Sequence, residues 1–118
     1  MVLESTLGMT DEEIIMSGLR GTNQGEQLKA TAGWNSEIDG MSGSNTSGFS
    51  GLPGGYRYEE GSFNFAGYYG FWWSSTQHGA GAWFRGLNAE VEDGLTYKVR
   101  RSDEFTIQNG FSIRCIKD

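Results

Sequence analysis

From residue 56 onward the sequence divides into short β-like runs that are separated by turn residues. Strand-forming residues occupy six such runs, at residues 56–58, 62–65, 70–75, 82–88, 96–100 and 111–116. Several of them alternate between apolar and polar residues, as strands with one buried face do. Because the runs are short and close together, they fit an antiparallel meander better than a parallel sheet with helical crossovers.

The first 30 residues are predicted to be largely helical. Leu3 and Leu7 are spaced four residues apart and lie on one side of a helix whose last turns they mark. Thr10 and Glu13 fit a capping box, in which each side chain bonds to the backbone of the other residue. This capping box predicts a second, short helix at residues 11–17.

A long irregular stretch connects the helices to the strands. Residues 31–55 show almost no periodicity, and Gly, Ser, Asn and Thr dominate residues 39–50, so a surface loop is predicted. Trp34 and Phe49 are the expected anchors of this loop to the core. The sequence therefore predicts one α+β domain over residues 1–118, with short N-terminal helices, a long irregular loop and a twisted antiparallel sheet.

The charge balance of the chain argues against several kinds of partner. Nine Lys and Arg residues stand against fifteen Asp and Glu residues, giving a formal net charge of −6. Nucleic acids and anionic membrane surfaces require a basic face, so we expect no nucleic-acid partner. No segment is long and apolar enough to cross a bilayer, so membrane insertion is not expected either. The start of the chain does not resemble a signal peptide, and any export signal is expected outside it.

Several blocks of sequence carry a family likeness. They include Leu-Pro-Gly-Gly-Tyr-Arg at residues 52–57, Trp-Trp-Ser-Ser-Thr at residues 72–76 and Gly-Phe-Ser-Ile-Arg-Cys at residues 110–115. In this order they resemble the Fibrobacter succinogenes major paralogous domain over essentially the whole chain. The resemblance implies a C-type-lectin-like fold in a bacterial protein that is extracellular or displayed at the cell surface. Folds of this type also serve as scaffolds for receptors diversified by retroelements.

The beginning of the chain departs from the family pattern. Members normally begin with a Gly-Trp-Arg-Leu-Pro-Thr block, which is absent here, so we expect the chain to be truncated at its N terminus relative to the family. In folds of this type the lead strand pairs with the final strand. Its loss would leave an uncovered sheet edge beside residues 111–116, through which the chain could self-associate.

Catalytic chemistry has weak support in the sequence. His78 follows the hydroxyl residues 74–76, but neighbouring residues in a turn do not establish the geometry of a catalytic triad. Cys115 is the only cysteine, so it forms no internal disulfide. It alternates with Phe111 and Ile113 on the apolar side of a predicted strand, which predicts a buried and unreactive thiol. We therefore expect no catalytic residue and no enzymatic activity.

Metal binding is also not expected. Acidic side chains near the C-terminal half could supply oxygen ligands to Ca²⁺; they are Glu90, Glu92, Asp93, Asp103 and Glu104. The Glu-Pro-Asn and Trp-Asn-Asp signatures of calcium-dependent sugar binding are absent, so a solvated acidic hairpin is the preferred interpretation. The expectation is a domain without metal or cofactor.

The tryptophan pair leaves two roles open. Trp72 and Trp73 are adjacent on a predicted strand and must therefore point to opposite faces. One of them is expected in the core. The other could also pack inside the domain, or it could stack on a sugar ring or on a partner protein.

A ligand-binding surface is predicted between the Trp-Trp-Ser-Ser-Thr and Gly-Phe-Ser-Ile-Arg-Cys blocks, where polar, charged and aromatic residues accumulate. The candidates are Gln77, His78, Asn88, Glu90, Glu92, Tyr97, Arg100, Arg101 and Glu104. The expected function is ligand binding or display at a bacterial surface, with a protein or a carbohydrate as the ligand. The alternative is a structural module of a larger surface assembly that has no small ligand.

Overall fold

The computed structural model describes residues 2–35, 42–90 and 96–115. Within them the chain forms three short helices and six strands, which follow one another as α1 (Val2–Thr6), α2 (Asp11–Ile15), β1 (Gly18–Arg20), α3 (Gln24–Leu28), β2 (Tyr56–Arg57), β3 (Phe63–Asn64), β4 (Tyr69–His78), β5 (Gly81–Asn88) and β6 (Val99–Ser102). None of these helices is long and apolar enough to span a membrane.

Four of the strands form one antiparallel sheet in the order β1-β6-β5-β4, and β2 and β3 form a separate antiparallel pair. In the large sheet Trp72 lies opposite Arg85, and Arg85 lies opposite Arg101. The antiparallel α+β architecture predicted from the short β-like runs is therefore confirmed. β1 was not among the predicted strands, and it pairs with β6 at the far edge of the sheet.

The capping box at the start of α2 is present as predicted. The Thr10 side chain accepts a hydrogen bond from the backbone N–H of Glu13, and the Glu13 carboxylate accepts one from the backbone N–H of Thr10. The helix ends at Ile15, two residues before the predicted end. Gly18 then has a φ of +86°, a conformation that glycine adopts without steric cost, and it begins β1.

The two faces of the large sheet carry separate apolar clusters. The helical face is covered by residues from the three helices and the long loop, and its cluster contains Met9, Ile14, Leu28, Trp34, Trp72, Leu87, Ala89 and Val99. The aromatic face carries Tyr56, Phe71 and Phe84, with Trp73 and Phe111 packed against them. Trp72 and Trp73 thus point to opposite faces, as their adjacency predicts, and both pack inside the domain.

The long loop is attached to the sheet by the two predicted anchors. Trp34 is buried and donates a hydrogen bond from Nε1 to the carbonyl of Gly51 (3.1 Å). Phe49 packs edge-on against Trp72, with the ring centroids 5.5 Å apart. Residues 36–41, which include part of the predicted loop, lie outside the described residues.

A buried lysine joins the end of α3 to the end of β5. Lys29 donates hydrogen bonds from Nζ to the carbonyl of Asn88 (3.1 Å) and to Oγ1 of Thr96 (2.6 Å). Burial lowers the pKa of Lys29 to about 8, and the nearby Glu26 opposes this shift. These contacts bridge 59 and 67 residues of sequence, so Lys29 has a structural role.

The C-terminal segment differs from its prediction. Residues 111–116 were expected to form a strand with positions 111, 113 and 115 facing the core. Phe111 does pack against the aromatic face, and Ser112 makes one parallel bridge to Trp72. Ile113 is 72% exposed and Cys115 is exposed, so the predicted inward alternation ends at Phe111. The reason is that the segment loses its bridge to β4 after Ser112, and residue 116 lies outside the described residues.

Candidate functional site

Aromatic side chains and a charged pair enclose a cleft on the aromatic face, here named the tyrosine cleft. Its volume is about 260 Å³, and it is lined by Tyr56, Tyr58, Phe65, Tyr69, Phe71, Arg100, Glu104 and Phe105. The register of the sheet explains how strand residues meet there, since Phe71 lies opposite Gly86 and Gly86 lies opposite Arg100. Residues opposite one another share a face, so Phe71 and Arg100 flank the same glycine.

Gly86 allows these two side chains to close over β5. A Cβ atom at this position would lie 2.8 Å from the Phe71 ring and 3.3 Å from the Cβ of Arg100. The first distance is too short for any real Cβ contact, so a larger residue would displace the Phe71 ring. The absence of a side chain at Gly86 therefore shapes the floor of the tyrosine cleft.

The polar groups of the tyrosine cleft form pairs. Arg100 donates a hydrogen bond from Nη1 to Oε1 of Glu104 (3.2 Å), and the hydroxyl of Tyr56 donates to that of Tyr58 (2.6 Å). The hydroxyl of Tyr69 donates to the carboxylate of Glu90. Burial raises the pKa of Tyr69 to about 12, and the Glu90 carboxylate adds to the effect. The phenol of Tyr69 is therefore neutral at physiological pH and remains a hydrogen-bond donor.

A second and larger depression, here named the arginine groove, lies beside the edge strand β4 toward the turn between β4 and β5, with Arg85 and Arg101 on the helical face. Its volume is about 740 Å³, and it is lined by Trp73, Ser74, Ser75, Thr76, Trp83, Arg85, Arg101, Ile113, Arg114 and Cys115. One wall is an irregularity of β4, where two extra residues are inserted between the pairs Trp73–Phe84 and Gln77–Ala82. Such bulges redirect side chains away from the regular ladder, and here three hydroxyl residues line the groove.

The arginines of this region share one buried carboxylate. Glu4 accepts hydrogen bonds from Arg20 (2.6 Å) and from Nε of Arg85 (2.7 Å). Burial alone would raise the pKa of Glu4, but the hydrogen bonds from Arg85 and Arg20 outweigh burial and hold the pKa of Glu4 below its ordinary value. Burial lowers the pKa of Arg101, and the charge of Arg85 lowers it further. The region is thus rich in mutually repelling guanidinium groups.

His78 and Arg101 both contact the ring of Trp83. The His78 ring stacks on it with a centroid distance of 5.5 Å, and the Arg101 guanidinium lies 3.7 Å from its centroid. His78 belongs to β4 and Arg101 to β6, on either side of the strand that carries Trp83. His78 also bonds to the carboxylate of Asp103. Within the described part of the chain, no hydrogen bond joins His78 to a serine, and no three potential metal-ligating side chains cluster.

The sequence model of the Fibrobacter succinogenes major domain matches residues 1–117. The chain belongs to this family. No curated protein and no solved structure gave a match.

The predicted binding residues of this Fibrobacter succinogenes major domain do not form one surface. Arg100 and Glu104 line the tyrosine cleft, and Glu90 reaches its rim through Tyr69. On the other face, Arg101 lines the arginine groove and His78 stacks beside it. The sheet separates these two groups.

The remaining candidates have other positions. Asn88 is 6% exposed, and its carbonyl and side-chain oxygens accept hydrogen bonds from Lys29 and from the backbone of Glu90. Gln77 is exposed at the end of β4, and Tyr97 is half-buried beyond β5. Glu92 lies outside the described residues.

Several lining residues of both clefts were missed in the sequence. Tyr56, Tyr58, Arg85 and Arg114 lie in predicted strands and Tyr69 lies just before one, and none of them was proposed to bind a ligand. The available signal was the alternation within residues 56–58 and 69–71, which places aromatic rings of each pair on one side of the chain. The inserted residues in β4 have no such signal, because a bulge depends on the partner strand.

The prediction that Cys115 is buried was wrong. The thiol is exposed and lines the arginine groove. We expect a thiol reagent to label Cys115 in the native protein at a rate comparable to that in the denatured protein, because access to an exposed thiol needs no unfolding. The rates are measured by absorbance of the released chromophore, with Cys115→Ser as the unlabelled control. Labelling that appears only after denaturation would contradict the exposed position.

Proposed function

We propose that this domain is a binding module and that the tyrosine cleft receives a neutral, hydroxyl-rich ligand, with a carbohydrate ring as the best fit. The observation that carries the proposal is the Arg100–Glu104 pair beside the aromatic walls of the cleft. The volume of about 260 Å³ is just below the usual range of small-molecule sites and suits a single ring.

The chemistry of the cleft suits a sugar better than an ion. A guanidinium group donates hydrogen bonds and a carboxylate accepts them, so together they can bind adjacent hydroxyl groups. Their charges cancel, which leaves no net attraction for an ionic ligand. Phe65 is 48% exposed and stacks on Tyr56, so it offers an accessible aromatic surface to the C–H face of a ring.

The proposal includes a setting and a fold type. We infer a C-type-lectin-like fold, extracellular or cell-surface display, and a non-enzymatic role. A receptor diversified by a retroelement would be one example of such a role. The family resemblance supports display outside the cell. The combination of an antiparallel sheet, short helices on one face and a long anchored loop supports the fold type.

A second function, as a structural module of a larger assembly, is favoured by a different observation. Four large apolar side chains within residues 52–68 are substantially exposed, namely Leu52, Phe63, Phe65 and Tyr68. Exposed apolar patches often mark protein contacts. A domain that binds none of the tested sugars and associates with other proteins through these side chains would have this second function.

The test is a titration of the isotope-labelled domain with glucose, galactose, mannose and N-acetylglucosamine, each followed by NMR. At least one sugar is expected to shift amide resonances of the residues that line the tyrosine cleft. Glu104→Gln is expected to weaken that binding about tenfold, because the charged acceptor of the pair is lost. Glu12→Gln, at an exposed position of α2, is the control with the same change in charge.

Two outcomes would overturn the proposal. One is the absence of cleft shifts with all four sugars. The other is equal binding by the wild type and by Glu104→Gln while Glu12→Gln also binds equally, which would remove the charged pair from recognition. The same spectra report whether each variant is folded, so a loss of binding cannot be confused with unfolding.

A further inference from the structure

The arginine groove lies between two chain segments that separate from each other. Ser112 bridges Trp72 in parallel, with hydrogen bonds to the backbone of Phe71 and Trp73. Beyond this bridge β4 continues through residues 74–76, whereas residues 113–115 make no further bridge in the described part of the chain. Both segments line the groove, so its long walls are backbone segments that run in the same direction and then diverge.

The lining of the groove carries positive charge in an otherwise acidic protein. Its charged side chains are Arg85, Arg101 and Arg114, and none of its lining residues is acidic. Ser74, Ser75 and Thr76 add three hydroxyl groups, which donate hydrogen bonds to anions. The net charge of the whole chain is −6, so this concentration of guanidinium groups runs against the overall charge.

Two donors in this lining have no acceptor. Nη1 of Arg85 and Nε of Arg101 are buried and make no hydrogen bond with any described residue. A buried polar group without a partner destabilises the fold, and a charged group does so more strongly. The Glu4 carboxylate is already engaged with Nε of Arg85 and with Arg20. A carboxylate bound in the groove would therefore add a counter-charge near Arg85 and Arg101, although these two enclosed nitrogens are not exposed to it.

We propose that the arginine groove binds an extended acidic peptide of a partner protein, which lies between β4 and residues 113–115. Peptides that add to strand edges bind through their backbone, and their alternate side chains provide specificity. Carboxylate side chains on one side of the peptide meet Arg101 and Arg114. Apolar side chains contact Ile113 and Trp73, which line the same groove.

The size of the groove favours a peptide over a single anion. A phosphate or sulfate ion would occupy a small part of about 740 Å³ and would leave the apolar wall uncovered. Ile113 is 72% exposed and gains burial only from a longer ligand. This groove and the tyrosine cleft share no lining residue, so the proposal is independent of sugar binding.

The test uses a fluorescent eight-residue peptide of alternating Asp and Val, followed by anisotropy at low ionic strength with the whole domain. Binding is expected for this peptide and not for the Asn-Val counterpart, and the affinity is expected to fall as salt is added. Arg101→Gln and Arg114→Gln are each expected to weaken it about tenfold. Arg57→Gln, an exposed arginine outside the groove, should bind as the wild type does.

Cys115 provides a second readout within the same groove. The bound peptide is expected to slow the reaction of Cys115 with a thiol reagent, because the thiol lies in the lining. Equal binding of the Asp-Val and Asn-Val peptides, binding that leaves Cys115 labelling unchanged, or an equal loss in Arg57→Gln would overturn the proposal. Complete competition by inorganic phosphate at equal concentration would show a single-anion site instead, and would overturn the peptide assignment. A failure to bind either peptide would also overturn it.

Discussion

Glu4→Gln is expected to destabilise the domain by about 3–5 kcal/mol, the range for breaking a buried ion pair by removal of one partner. The side chain of Glu4 is 5% exposed, that of Arg20 is 0% exposed and that of Arg85 is 20% exposed. Glutamine keeps the shape of Glu4 but removes its charge. The guanidinium groups of Arg20 and Arg85 would then lie beside a neutral side chain, without a counter-charge. Because the side chain of Arg20 is fully buried, it cannot reach solvent unless the helical face opens.

The effect is measured as the free energy of unfolding in urea at neutral pH. Glu12→Gln is the control, since Glu12 is exposed and its replacement should cost about 0.5 kcal/mol or less. The pH dependence gives a further check. Because the folded-state pKa of Glu4 is below its ordinary value, its contribution is present above the unfolded pKa and is lost as the pH falls through the folded pKa. A loss in Glu4→Gln no larger than in Glu12→Gln would contradict the buried bridge.

Phe84→Ala is expected to cost about 3–5 kcal/mol, as truncation of a buried aromatic does. Phe84 is 0% exposed at the centre of the aromatic face. Its ring packs edge-on against Phe71 (5.6 Å between centroids) and Phe111 (5.1 Å). A small domain has a total stability of about 5–15 kcal/mol, so this variant should lose much of its folded population near physiological temperature.

Phe63→Ala is the matched control, because the same atoms are removed at a position that is 82% exposed. Its unfolding free energy should differ from that of the wild type by no more than about 0.5 kcal/mol. Thermal melts followed by near-ultraviolet circular dichroism compare the two variants directly. Similar melting temperatures for Phe84→Ala and Phe63→Ala would show that Phe84 is not central to the core.

The sequence predicted the parts of the fold that depend on neighbouring residues. The capping box of α2 involves only Thr10 and Glu13, and the opposite orientations of Trp72 and Trp73 follow from adjacency alone. Phe49, expected to anchor the loop, and Phe111, expected on the apolar side of a strand, are partly buried and pack against the two clusters. The fully buried ring of Phe84 was assigned only to a strand, because its burial depends on Phe71, Phe105 and Phe111 from other segments.

The missed features depend on residues far apart in the sequence. β1 contains Gly18, Leu19 and Arg20, which have no strand-like alternation, and it forms because β6 offers a partner. The burial of Arg20 requires Glu4. The prediction for Cys115 rested on its alternation with Phe111. In the described part of the chain this segment makes one bridge to β4, at Ser112, and residues 113–115 make none. The local sequence does not indicate where a strand loses its partner.

The sequence predicted only part of the tyrosine cleft, because its other residues also come from distant segments. Arg100 and Glu104 are four residues apart, and both were predicted as binding residues because they lie in one polar stretch of sequence. Both line the tyrosine cleft. The tyrosines on the other side come from β2 and β4 and enter the cleft only through folding. Arg100 and Arg101 are adjacent on β6, so the strand directs them to opposite faces and divides one predicted surface into two clefts.

The bridge between Glu4 and Arg85 also has a consequence for synthesis on the ribosome. These residues are 81 positions apart. The Glu4 carboxylate of α1 can therefore contact both Arg20 and Arg85 only after most of the chain has been synthesised. Long-range closures of this kind carry an entropic cost and slow folding. At about 5–20 residues per second, several seconds separate the emergence of the two ends. During that interval Leu3, Leu7 and Met9 lack the sheet residues against which they pack in the folded domain.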